Sequence, residues 1–305
     1  MKRGGNHLRI VDLQMSWLIT GGSGQLGIAV SQELDKHGIA FYAWNSKDLD
    51  ITQSSNVGEA IEKLCPTVII NCAAWTDVDG AETHEIDAFR VNSNGPENLA
   101  LAAKLSNSKL IHVSTDYVFS GESHSPWQIA DEINPQSAYG RTKAQGESRI
   151  LISHPENSFV VRTAWLYSPW GKNFAETMTK LAIKGDGEVR AVNDQVGQPT
   201  SASDLAKQLV ELGLSTSPAG IYHGTNSGQA TWFEFAQEIF KLTGADVGRV
   251  TPVSSSEYPR PAKRPSYSVL SHDAWANTAV KTLRDWRIAL ADAMPAIISA
   301  VKGEG

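Results

Sequence analysis

The chain lacks most of the features that would send it to an oxidising, membrane or nucleic-acid setting. It has two cysteines, Cys65 and Cys72, in 305 residues. A disulfide framework is therefore not expected; two plain buried thiols in a reducing cytoplasm are. No apolar run approaches the roughly 18 residues needed to cross a bilayer. The opening MKRGGNHLRIVDLQ is basic but has no apolar stretch of the kind a secretory signal needs. Residues 1–15 show no periodicity and are expected to form a poorly ordered extension, with Met15 an alternative start. Positive charge is in deficit, 27 Lys and Arg against 33 Asp and Glu, for a net charge of -6. That balance argues against nucleic acid or an anionic membrane as the main partner. The eight histidines never fall at a ligand spacing such as HxxxH, and there is no CxxC, so no metal site is expected.

What is present is an ordinary globular composition, 41% hydrophobic and 20% charged, long enough for one large domain or two modest ones. Short apolar runs alternate with amphipathic stretches. WLIT (17–20) reads as a strand, followed by a helix to His37; IAFYAW (39–44) reads as a strand, followed by a helix over 56–64 that stops before Pro66. TVIINCAA (67–74), KLIHVST (109–115) and SFVVRTAW (158–165) read as further strands, with helices over 87–105 and 138–153 between them. The alternation predicts an α/β protein with a Rossmann-type, doubly wound parallel sheet covered on both faces, spanning 16–165. Beyond Trp165 the rhythm loosens. Helices are expected near 172–184, 203–213, 231–243 and 283–301, and YPRPAKRPSY (258–267) cannot be regular helix with its three prolines. Residues 166–305 are read as a smaller α+β substrate lobe, with segments at about 192–227 returning to the first domain.

Two stretches carry chemistry. Gly21, Gly24 and Gly27 follow the first strand and open the first helix as GxxGxxG. The first glycine permits a tight turn, the second lets backbone N–H groups approach a pyrophosphate, and the third allows close helix–strand packing. The helix N-terminus adds partial positive charge. At the tip of the second strand stand Trp44-Asn45-Ser46-Lys47, with no carboxylate to read a ribose 2′-hydroxyl. Lys47 and Ser46 suit a 2′-phosphate, which favours NADPH and leaves NADH possible; Lys47 as a solvated loop charge is the plain alternative.

The second stretch is YGRTK, with Tyr139 four residues before Lys143 on one helix face. Such a spacing arises readily by chance. It gains weight because strand 109–115 ends in Ser114-Thr115-Asp116-Tyr117, at the carboxyl edge where open parallel sheets bind ligands. A hydroxyl, a phenol and an ammonium converging there suit hydride transfer to a ketone. The ammonium is expected to lower the phenol pKa from about 10, and Thr115 to steady the carbonyl oxygen.

Together, TGGSGQLG, NCAA, STDYVFSG and YGRTK resemble the extended short-chain dehydrogenase/reductase family. Within it, the run DLDIT, NCAAWTDVDGAE, VNSNGPENLA, RTAWLYSPWGKNF, NDQVGQPT, GIYHGTNSG and RPAKRPSYSVL is similar to the dTDP-4-dehydrorhamnose reductase branch across residues 16 to about 295. The resemblance implies that Tyr139 is the general acid, Lys143 its partner and Thr115 the orienting hydroxyl. It implies that Gly24, Gln25 and Leu26 touch the pyrophosphate, that Asp50 and Ile51 contact the adenine, and that Ala73, Ala74 and Trp75 line the cofactor. Asp116 would meet the sugar. Trp165 would pack on the deoxysugar, unless it is simply a core aromatic. Arg260, Lys263 and Arg264 would clamp a diphosphate, unless they form a solvated cluster. The implied reaction is NADPH-dependent reduction of the C4 ketone of dTDP-4-dehydro-6-deoxy-L-mannose to dTDP-L-rhamnose. A reductase of a related dTDP-4-keto-6-deoxysugar and a non-catalytic NADP-binding regulatory subunit are the alternatives. Three departures from relatives stand out. Asn45 replaces an acid. Ile28-Ala29-Val30 lacks an acidic residue linked to metal-mediated pairing, so a monomer or weak homodimer is expected. Cys72 replaces a small alanine.

Overall fold

The computed structural model describes residues 16–303, and the expected extension over 1–15 lies outside the described residues. Strands and helices alternate as β1 (Trp17–Thr20), α1 (Gln25–Lys36), β2 (Phe41–Trp44), α2 (Ser54–Leu64), β3 (Val68–Asn71), α3 (Gly95–Ser106), β4 (Lys109–Thr115), α4 (Ala138–Ser153) and β5 (Ser158–Thr163). They continue as α5 (Phe174–Lys184), α6 (Ala202–Leu214), β6 (Gly220–His223), α7 (Trp232–Thr243) and α8 (Trp286–Lys302). The six strands form one parallel sheet in the order β6-β5-β4-β3-β1-β2.

Paired neighbours on the central strands explain why the sheet is a middle layer. Side chains alternate faces along a strand. Leu18, Ile69, Leu110 and Val160 therefore join α2 and α3 in one core. Ile19, Ile70, Ile111 and Val161, each one residue on, join α1 and α6 in the other. Each fully buried aliphatic side chain contributes about 1.5–3 kcal/mol, so neither face tolerates exposure. Helix α6 packs on α1, and β6 pairs with β5, although both lie beyond α5 in the chain. The remaining lobe has its own core, with Phe235, Ile239 and Phe240 of α7 and Trp286 of α8 packed on Ala175 and Met178 of α5. A parallel pair, Val189–Val192 with Val250–Val253, lies beside it.

The structure departs from the sequence reading at several points. The helix expected over 87–105 is broken into Glu85–Phe89, a π-helical turn at Arg90–Asn94, and α3. The wide turn lets buried Asn92 accept from Trp75 N at 2.8 Å and donate to Thr142 Oγ1 at 3.1 Å. The third and fifth strands end early, at Asn71 and Thr163. The segment expected to open a helix at 283 is first a short strand, Leu283–Asp285, and Asp285 then caps α8. Strand β6 and the 189–192 and 250–253 pair had no strong alternation to announce them. Cys65 is exposed, not buried, because it closes α2 in the left-handed conformation (φ 45). Among the described residues, no helix is long and apolar enough to cross a membrane.

Candidate active site

A cavity of about 680 Å³ opens over the carboxyl ends of the central strands. Its floor begins at the turn after β1. Gly21 has φ 69, and a Cβ there would fall 2.6 Å from Ala73 N, so only glycine fits between the two loops. The N-cap of α1, Gly24, provides no side-chain oxygen, and no acidic residue stands in the first turn. The first N–H groups of the helix are thus left for an anion. Gly24, Gln25, Leu26 and Gly27 all line the cavity. The Gln25 side chain is committed elsewhere: its Oε1 accepts from Ser168 Oγ at 2.9 Å and Asn173 Nδ2 at 3.0 Å, tying this loop to the start of α5.

The far wall carries Asn45, Ser46, Asp50 and Ile51. Asp50 accepts from Thr52 N and Oγ1, at 3.0 and 2.8 Å, and the backbone bond leads in holding its carboxyl below the usual range. Ala73 and Ala74 line the cavity; Trp75 does not. Its indole donates to Asp77 O at 3.0 Å and its ring stacks on His84. Lys47 does not reach the cavity wall either. Its N–H closes the turn onto Asn45 Oδ1 at 2.8 Å, and its side chain points from an exposed position.

Helix α4 delivers Tyr139 and Lys143 to the same cavity. Ser137 caps it, accepting from Gly140 N at 3.1 Å. At Gly140 a Cβ would fall 2.3 Å from Tyr117 O, so the helix can press against the turn after β4. Thr115 Oγ1 donates to Asp116 Oδ1 at 2.9 Å. The Tyr139 phenol is pushed up to about 12 by burial, helped by the nearby Asp116 charge and opposed by the Thr115 hydroxyl. The lowering by Lys143 that the spacing predicted is not present in this arrangement. Lys143 Nζ donates to Val113 O at 2.7 Å and lies 3.1 Å from His112 Nε2. Burial holds the Lys143 ammonium down at about 8, against Glu147 and Cys72. Burial raises the Asp116 carboxyl to about 6, opposed by the Ser268 and Thr115 hydroxyls. Burial also keeps the Cys72 thiol protonated, at about 12.

A second cavity, about 790 Å³, adjoins the first. Tyr117 and Trp165 line both. Trp165 is held at φ 46, a conformation costly for a bulky residue by about 1–3 kcal/mol. Its ring stacks on Trp232 with centroids 3.5 Å apart, at 7°. Arg260, Lys263 and Arg264 line this cavity, not the first. Arg264 is a bidentate partner of Asp79, at 3.0 and 2.9 Å, and Lys263 reaches Glu122 at 2.9 Å. Burial works against the Asp79 charge, but the Arg264 hydrogen bond, the Ala262 N–H and the charges of Arg264 and Arg260 keep its carboxyl below the usual range. Sequence reasoning missed Tyr117, Arg190 and Trp232 on these walls. Only Tyr117 had a local signal, its place beside the end of β4.

The family model described as the RmlD substrate binding domain matches residues 15–298. A dTDP-4-dehydrorhamnose reductase of Streptomyces griseus is 44% identical over 92% of this chain and 93% of its own length. A probable dTDP-4,6-dihydroxy-2-methyloxan-3-one 4-ketoreductase of Streptomyces antibioticus is 43% identical over 94% of this chain and 97% of its own. Among solved structures, a dTDP-4-dehydrorhamnose reductase from Bacillus anthracis in complex with NADP superposes with a TM-score of 0.88. It is 36% identical and covers 92% of this chain and 99% of that one. Two adjoining cavities on a parallel six-stranded sheet, and a family match running almost from end to end, lead to one conclusion: the chain belongs to the RmlD substrate-binding domain family.

Proposed function

We propose that this protein is an NADPH-dependent reductase of a dTDP-4-keto-6-deoxysugar, converting dTDP-4-dehydro-6-deoxy-L-mannose to dTDP-L-rhamnose. The observation that carries the reading is the shared wall. Tyr117 and Trp165 border both cavities, and Tyr139 lines the first beside that border. A ketone entering from the second cavity would meet a reduced nicotinamide in the first next to a phenol.

The residues present fit the dinucleotide. The uncapped N-terminus of α1 offers N–H donors to its pyrophosphate, and Gly21 and Gly24 leave room for close approach. Asn45 and Ser46, neither of them acidic, line the wall where a 2′-phosphate would lie. Asp50 and Ile51 border the adenine end. When bound, NADPH supplies the hydride. The rest falls to the chain. Tyr139, with its pKa near 12, stays protonated throughout the neutral range and is the proton donor to the C4 oxygen. Thr115 orients the phenol, and Lys143, swung towards the cofactor, tunes it. Trp165 and Trp232 form the aromatic side of the sugar site, and Arg260 and Arg264 border the diphosphate. Relatives named as dTDP-4-dehydrorhamnose reductases, one of them bound to NADP, support this reading. It carries a cytoplasmic setting with it, since NADPH and nucleotide sugars are the reactants.

A second reading has an observation in its favour. The relative named as a 4-ketoreductase of a different dTDP sugar is as similar as the rhamnose-forming one, 43% against 44%. The stereochemistry of the alcohol therefore has to be measured. The test is to generate the keto sugar enzymatically from dTDP-glucose, add this protein and NADPH, follow absorbance at the nicotinamide band, and determine product configuration by NMR. Consumption of NADPH with a rhamno-configured product is expected. A talo- or other configuration would move the protein to the second reading, and no consumption would overturn both.

A further inference from the structure

Four buried side chains run in a line beneath the first cavity: Thr20 of β1, Asn71 of β3, His112 of β4 and Lys143 of α4. The line has a direction, set by one backbone group. Ala73 N–H can only donate, and it lies 3.1 Å from Asn71 Oδ1. Exchanging the oxygen and nitrogen of Asn71 would set two N–H groups head to head, so the amide orientation is fixed. Asn71 Nδ2 therefore donates to His112 Nδ1, at 2.9 Å, and that nitrogen must be bare. His112 is neutral, because full burial pushes its pKa well below 6.5. A neutral imidazole with a bare Nδ1 carries its hydrogen on Nε2. Nε2 faces Lys143 Nζ at 3.1 Å, while Nζ donates to Val113 O at 2.7 Å.

An ammonium has three donors and no acceptor. It would meet Nε2–H donor to donor. A neutral amine satisfies both contacts: its lone pair accepts from His112 and one of its hydrogens goes to Val113 O. We infer that His112 is a positioning residue that favours the neutral amine of Lys143 in the cofactor-free enzyme, and that this neutral fraction takes up a proton when the dinucleotide docks. The proton comes from solvent and binds the Nζ lone pair as the contact with His112 breaks; no electrons change hands.

The other groups facing Lys143 do not replace that proton. Glu147 is engaged by Arg162 through three bonds of 2.7–3.2 Å. Cys72 stays a thiol, and the Tyr139 phenol stays protonated. Ribose hydroxyls and phosphate charge in the first cavity would supply what the free enzyme lacks, acceptors and negative potential. The ammonium then stands near Tyr139 only after the cofactor is in place, so the phenol becomes a stronger acid at that moment. This inference rests on the reading that NADPH occupies the first cavity.

The test is calorimetric titration of the full chain with NADPH, in buffers of differing ionisation enthalpy, at pH 7.5 and pH 9. The 2′-phosphate, with a pKa of about 6, is ionised at both. A free-state value near 8 leads to uptake of about a quarter of a proton at pH 7.5 and close to one at pH 9. Uptake that stays near zero at both pH values, with NADPH bound, overturns the inference; no binding heat at all overturns the cofactor reading instead. Lys143→Arg should abolish the uptake, and His112→Phe should reduce it at pH 9; an unchanged His112→Phe value removes His112 from the device. If that variant does not fold, nitrogen-15 spectra of the wild-type, cofactor-free enzyme decide. A bare Nδ1 and a protonated Nε2 on His112 are expected at pH 9, where the amine is neutral, and a protonated Nδ1 there would sink the proposal.

Discussion

The two adjoining cavities are built by different means. The first is built on backbone turns at the carboxyl ends of the parallel strands, with Gly24, Asn45, Ala73, Ser114 and Ala164 among its lining, and on one face of α4. The second is made of side chains brought from far apart, Asp79, Tyr117, Trp165, Arg190, Trp232 and the 258–268 loop. Its walls are held by pairs such as Asp79–Arg264, 185 residues apart, and Glu122–Lys263, 141 apart. A backbone-built site repeats wherever the fold repeats, so it can serve a cofactor common to many enzymes. A side-chain-built site can be changed one residue at a time without disturbing the sheet.

Tyr139 lines the first cavity beside Tyr117, which lines both, and its removal should have the largest effect on rate. Tyr139→Phe deletes the proposed proton donor and little else, since the ring keeps its edge contact with Tyr117, centroids 5.6 Å apart. A loss of about 10²–10⁴-fold in kcat is expected, with the NADPH Kd within about twofold. Full activity in this variant, measured by NADPH oxidation, would remove the junction as the place of chemistry.

Next in size, one methyl group should break the backbone-built cavity. Gly21→Ala puts a Cβ against Ala73 N and forces φ 69 on an L side chain. A cost of about 1–3 kcal/mol should appear as a lower melting temperature and as weaker NADPH binding in titration. Substrate affinity, extrapolated to saturating cofactor, should change little. Equal losses on both sides would mean that the two cavities are not separately built.

The same contrast explains how much could be read from the chain. β4 and α4 begin and end where periodicity puts them, and the glycine spacing marks the turn after β1 that lines the first cavity. Thr115, Tyr139 and Lys143 line one cavity because strand ends and helix faces are local properties. Trp75 failed because its indole finds Asp77 O rather than the cavity, a tertiary choice no spacing encodes. Trp232 was legible only as a helix residue; its meeting with Trp165 depends on packing between segments far apart in the chain. The expected pull of Lys143 on Tyr139 is absent from the cofactor-free arrangement for a subtler reason. Four-residue spacing shares a face, but Val113 O and His112 offer Nζ a different set of contacts.

A third substitution probes the side-chain-built cavity. Arg264→Ala leaves the Asp79 carboxylate without its bidentate partner and loosens the loop after Pro259. Substrate KM should rise by roughly 10-fold, the worth of about 1.4 kcal/mol, with NADPH affinity unchanged. Asp79→Asn, which breaks the same bridge from the other side, should raise KM in parallel if the bridge shapes the loop. If Arg264 instead acts by direct contact with the diphosphate, Asp79→Asn should leave KM near the wild-type value. The pair of variants therefore separates a shaping role from a binding one.

The smallest effect is expected at Lys47, and it bears on what kind of site the first cavity is. Its side chain is exposed, it does not line the wall, and only its backbone N–H is used, by Asn45. An exposed charge at that remove is worth about 0–1 kcal/mol. Lys47→Ala should therefore shift the ratio of NADPH to NADH kcat/KM by less than about fivefold, and the shift should shrink further in high salt. Asn45 stands differently. It lines the cavity at the tip of β2, and Asn45→Asp would set a carboxylate where a 2′-phosphate has to lie. Like charges there should turn the preference towards NADH by far more than Lys47→Ala does. The opposite order, with Lys47 decisive and Asn45 indifferent, would mean that a mobile surface side chain, not the backbone-built wall, chooses the cofactor.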